Sequence, residues 1–75
     1  MSPRLPSATA AQVLAALKRA GFREEYQKGS HLYLRHFVTG RRTSVPMHAR
    51  DLTRSTFKKI IKQTGLTEDE FRQFL

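Results

Sequence analysis

Residues 31–47 read HLYLRHFVTGRRTSVPM, and the architecture turns on how this stretch is divided. Its first part, HLYLRHFV, is rich in aromatic and branched residues, the composition of a β-strand. VTGRR around Gly40 supplies a hairpin turn, and RTSVPM is a second extended run. Pro46 has no amide to give a neighbour, so that run ends there or lies at a sheet edge. Upstream, FREEYQ (22–27) reads as another strand, with Phe22 and Tyr26 in phase and charges between them.

Helical periods flank these strands. TAAQVLAALKRAGF (9–22) places Thr9 and Gln12 at capping-box spacing and aligns Ala10, Val13, Leu14 and Leu17 in one apolar stripe. Gly21 falls where a left-handed C-terminal cap belongs, and Phe22 folds back on the stripe. TRSTFKKIIKQTG (53–65) repeats the design, with Thr53 or Ser55 as cap, a stripe of Phe57, Ile60, Ile61 and Thr64, and Gly65 as the stop. TEDEFRQFL (67–75) pairs Thr67 with Glu70 in a second capping box and anchors through Phe71, Phe74 and Leu75. Acids in its first turn suit the helix dipole. The expected fold class is α+β: an α-β-β-β-α chain with a three-stranded antiparallel sheet, helices on one face and a short C-terminal helix. One domain covers residues 1–75, with 1–8 as a loose lead-in.

Side chains alternate across a strand, so parity sorts the histidines. Leu32 and Leu34, an aliphatic pair, belong to the helix-covered face. His31, Tyr33, Arg35 and Phe37 then share the open face, and His36 points inward or ends the strand as a structural residue. Val45 and Met47 face the core in the third strand. Ser44 and Pro46 face out, joined by His48 if the chain stays extended past Pro46.

A chain of 75 residues supports one modest core, which confines chemistry to a shallow surface site. There is no cysteine, hence no disulfide and no thiolate cluster. No apolar run has the length of a membrane span, and the start MSPRLPSATAAQ lacks the apolar block of a signal peptide, so a cytoplasmic protein is expected. Fourteen Lys and Arg stand against six acids, and between Tyr26 and Lys62 nine cations face one acid, Asp51. A basic band with acids at its margins fits a phosphate-backbone binder, although a solvated cationic face has the same composition.

Within that band, QKGSHLYLRH (27–36) puts Gly29, Ser30 and His31 at the mouth of a strand. Histidine serves as base or acid near neutral pH. RNA carries a nucleophile, the 2′-hydroxyl, beside every phosphodiester. A base that removes its proton among cations yields a 2′,3′-cyclic phosphate and a 5′-hydroxyl, with no metal or cofactor required. The acids lie away from this point and the histidines lack ligand-type spacing. From residues alone, His31 reads equally as an exposed residue after an ordinary Gly-Ser turn.

VLAALKRAGF, QKGSHLYLRH, GRRTSVPMH and DLTRSTFKKIIKQTGL together resemble the HicA toxins, ribonuclease components of HicA–HicB toxin–antitoxin pairs. The combination of KGSH with VPMH between two such helices is specific, and it spans nearly the whole chain. The resemblance implies a double-stranded-RNA-binding-domain-like fold, cleavage of mRNA, growth arrest, and neutralisation by a HicB-type antitoxin, as a monomer or an antitoxin-bound hetero-oligomer. It assigns the acid–base role to His31, its turn to Gly29 and Ser30, and substrate contacts to Lys28 and the neighbouring Tyr33, Arg35, Arg41 and Arg42. The family often starts its second helix with Gly-Thr where this chain has Ser55-Thr56; serine is a competent cap. One histidine cannot also protonate the leaving oxygen, so His48 is the candidate second group, with Tyr33, a lysine or water as competitors.

Overall fold

Each helix begins where a side chain takes over an orphaned backbone amide. The computed structural model describes residues 7–48 and 50–75. Helix α1 (Ala10–Arg19) opens on the reciprocal Thr9–Gln12 capping box, and α3 (Glu68–Arg72) on the Thr67–Glu70 box. Helix α2 (Arg54–Thr64) is capped by Thr53, which accepts from the Thr56 amide, and Gly65 ends it in the left-handed conformation. Its buried residues are Phe57, Ile60, Ile61 and Thr64, the stripe that the helical period marks. Among the described residues no helix is long and apolar enough to cross a membrane.

Between α1 and α2 run β1 (Phe22–Lys28), β2 (His31–His36) and β3 (Arg42–Pro46), an antiparallel meander in the order β1-β2-β3. Pro46 is thus the last residue of an edge strand, where its missing amide costs nothing. The layout is the α-β-β-β-α arrangement of a double-stranded-RNA-binding-domain-like fold. Val13, Leu17, Phe22, Leu34 and Val45 are sealed between helices and sheet, and Phe57 packs edge-on against Phe71. Each such side chain contributes about 1.5–3 kcal/mol through burial. Leu75, expected as an anchor of α3, is instead 40% exposed; Phe71 and Phe74 hold that helix.

Two expectations about the strands are corrected. Phe22 and Tyr26 do not share a face, because the β1–β2 register shifts between Glu24 and Tyr26. The bulge at Glu25 leaves Phe22 in the core and turns Tyr26 out, 55% exposed. Strand β2 also stops at His36, short of Phe37 and Val38. The His36 ring is the reason: its Nδ1 accepts from the Val38 and Thr39 amides, both at 3.1 Å, and bends the chain away. Phe37, just past the strand, is exposed and stacks on His36 beneath the Arg23 guanidinium, at the end of the arginine row.

The lead-in expected over 1–8 lies mostly outside the described residues, but Ala8 is buried and its carbonyl accepts from Leu52. Together with the Ala10 amide donating to Arg50, this contact ties the segment before α2 to the start of α1. It fixes how the chain leaves the sheet after Pro46.

Candidate active site

Lys28, Gly29, Ser30 and His31 form a two-residue hairpin. Gly29 has φ +59°, and among the described residues no non-glycine has positive φ, the signature of a type II′ turn with glycine first. A Cβ built at Gly29 would meet nothing within 4 Å, so the space above the turn is open. The Ser30 carbonyl accepts from the Met47 amide at 2.7 Å, locking the turn to the chain just past β3.

Pairing sorts the open face into three rows. Lys28, His31 and Pro46 are cross-strand partners at the turn end. Tyr26, Tyr33 and Ser44 form the middle row, with the tyrosine rings stacked at 4.7 Å. Arg23, Arg35 and Arg42 form the last. Three cations abreast repel one another, and the bulged Glu25 answers them, 3.4 Å from Arg42 Nε and 3.9 Å from Arg35 Nη1. The sheet returns Glu25, an acid at the margin of the basic band in sequence, to the middle of its cations.

His31 is exposed, and its ring centroid lies 6.2 Å from that of His48. The chain turns after Pro46, yet the tie between residues 8–10 and 50–52 returns His48 to the same side. Among the described residues neither imidazole has a hydrogen-bond partner, leaving their nitrogens free for a ligand. Both line a groove of about 380 Å³. Its sheet wall is His31, Ser44 and Pro46; its other wall is Thr56, Lys59 and Gln63 of α2; Asp51 also lines it. The open sheet is therefore not flat where the histidines meet: α2 overhangs the edge strand and makes a trough.

The remaining sequence candidates divide. Lys28 stands beside His31, and Tyr33 lies one row away. Arg35 and Arg42 are on the same face but paired with Glu25. Arg41 points elsewhere: its guanidinium lies over Gly65, where an added Cβ would come within 2.6 Å of Nε, at the C-terminal end of α2. There a cation complements the helix dipole. His36 is half-buried, with Nε2 donating to the Ala20 carbonyl at 3.0 Å and the ring edge-on to Phe22. A carbonyl only accepts, so the proton sits on Nε2 while Nδ1 takes the two turn amides.

Lys59, Asp51 and Gln63 line the groove without having stood out in the sequence. A partial signal existed: Thr56, Lys59 and Gln63 recur at helical spacing beside the buried stripe of α2. Nothing local, however, says that this side meets the sheet edge. Among the described residues no group of three or more His, Cys, Asp or Glu is arranged to hold a metal ion.

No curated protein matches the chain. A family model described as the HicA toxin of bacterial toxin–antitoxin systems matches residues 10–66, from the first residue of α1 to just beyond Gly65. That span includes both helices around the sheet, the Lys28–His31 hairpin and the whole histidine groove. The chain belongs to the HicA toxin family.

Proposed function

We propose that this toxin is an endoribonuclease that cuts mRNA by transesterification in the His31–His48 groove. The observation that carries the reading is the pair of exposed imidazoles, 6.2 Å between centroids, without hydrogen-bond partners among the described residues and flanked by Lys28 and Lys59. A phosphodiester lying across the exposed edges of both rings can be served by the two imidazoles at once, each nitrogen acting at about 2.6–3.2 Å from its oxygen.

His31 takes the proton from the ribose 2′-hydroxyl. The 2′-oxygen attacks phosphorus, the bond from phosphorus to the 5′-oxygen breaks, and His48 gives its proton to that leaving oxygen. The products are a 2′,3′-cyclic phosphate and a 5′-hydroxyl. Lys28 and Lys59 stabilise the charge that builds on the non-bridging oxygens. Gly29 admits the phosphate to the turn because no Cβ stands in its way. The mechanism uses no metal and no cofactor.

Membership of a toxin–antitoxin family implies a cognate antitoxin. The reading assigns it the same basic face, so that a HicB-type partner blocks the toxin by covering His31. Cleavage of a defined RNA in EDTA tests the proposal. The wild-type protein should leave cyclic phosphate and 5′-hydroxyl ends, and His31→Ala should leave the RNA intact; cleavage by the alanine variant at the parental rate overturns the reading.

A further inference from the structure

The groove does not stop at the histidines. Ser44 and Gln63 line it and also line a second pocket of about 240 Å³, whose other walls are Tyr26, Tyr33, Arg42 and Thr43. Its aromatic wall is the stacked tyrosine pair, with rings 4.7 Å apart and 11° from parallel. Tyr26 is 55% exposed although a large aromatic gains by burial, and the Glu25 bulge is what holds it on this face. The polar wall is oriented too. The Thr43 hydroxyl donates to Gln63 Oε1 at 2.8 Å, which commits the amide oxygen and leaves the Nε2 hydrogens as donors.

An aromatic wall, an oriented amide donor and a guanidinium, one row from a proposed phosphate site, are what an unpaired nucleobase requires. Stacking holds a base of any identity, and donors at its edge discriminate among bases. We propose that the Tyr26–Tyr33 pocket binds one unpaired base of the RNA, next to the scissile phosphate, with Gln63 reading its edge. The substrate is therefore single-stranded at the cut, although the sheet and helices have the layout of a double-stranded-RNA binder. The inference rests on the ribonuclease reading of the adjoining groove.

The test uses a short RNA with a mapped cut, 2-aminopurine in turn on either side of it, and a 2′-O-methyl group that prevents cleavage. Stacking quenches the fluorophore, and binding is read without chemistry. Wild-type protein should quench it at one flanking position. Tyr26→Thr, which keeps strand propensity at an exposed site, should weaken binding about tenfold or more, whereas Tyr26→Phe should not. On cleavable RNA, Tyr26→Thr should raise KM by a similar factor with kcat within about twofold. Gln63→Glu keeps the acceptor for Thr43 and removes the donor. Its added charge weakens all RNAs alike, so the telling quantity is the ratio between RNAs differing only at that base, which should change about fivefold or more.

Absence of quenching at both positions overturns the subsite, as does a Tyr26→Thr variant that binds and cuts normally but loses its antitoxin. If His31→Ala still cuts while wild-type quenching persists, the catalytic reading fails and the base pocket stands.

Discussion

His31 and His36 stand at opposite ends of β2. His36 spends both ring nitrogens on the fold, joining the end of α1 through Ala20 and shaping the β2–β3 turn through Val38 and Thr39. His31 has no hydrogen-bond partner among the described residues, and beside it lies a lysine, an open glycine turn and a second exposed histidine. Five residues of separation reverse the face of the sheet, and with the face comes the role. An imidazole already used by the backbone is unavailable for proton transfer; one kept idle among cations is available.

Substitutions at the two positions should therefore fail in different ways. His31→Ala should lower cleavage by about 10²–10⁴-fold, the usual worth of a positioned acid–base group, with melting unchanged because the side chain is exposed. Equal loss of stability and activity would erase the contrast. His48→Gln should cost about 10²-fold in cleavage if it serves as the acid, again without affecting melting. His36→Ala reverses the signature: two amides and a carbonyl lose their partner, costing about 1–3 kcal/mol in denaturant unfolding, while activity per folded molecule persists.

Gly21→Ala probes the same latch from the other side. Its Cβ would fall 2.6 Å from His36 Nε2 at φ +104°, so the ring must leave the Ala20 carbonyl. The double variant with His36→Ala should be less destabilised than the sum of the two singles. The smallest effect is expected from Glu25→Gln. An exposed ion pair contributes at most about 1 kcal/mol, but releasing Arg35 and Arg42 should tighten RNA binding and steepen its salt dependence.

Much of this was legible in the residues. The helix caps at Thr9, Thr53 and Thr67 are local chemistry, in which a side-chain oxygen three residues from an amide needs no distant partner. The buried stripe of α2 follows from its period, and the faces of His31, Leu32, Leu34 and Val45 follow from alternation. Alternation failed at Tyr26 because one bulged residue inverts everything on its far side, and FREEYQ has no glycine or proline to mark the place. Where the Arg41 side chain goes was not legible either, because it is drawn over Gly65 at the end of α2, a neighbour distant in sequence.

Local rules thus determined from sequence alone where helices start and stop, which stripe of α2 is buried, and which histidine of β2 meets solvent. They rest on geometry repeated every few residues and need no knowledge of the rest of the chain. Only the tertiary structure decided that His48 returns to within 6.2 Å of His31, that α2 overhangs β3 to make a trough, and that Glu25 stands among arginines. Those outcomes depend on how elements far apart in sequence pack together: the chain after Pro46 is steered by its tie to the start of α1, and the register of β1 is set by its pairing with β2.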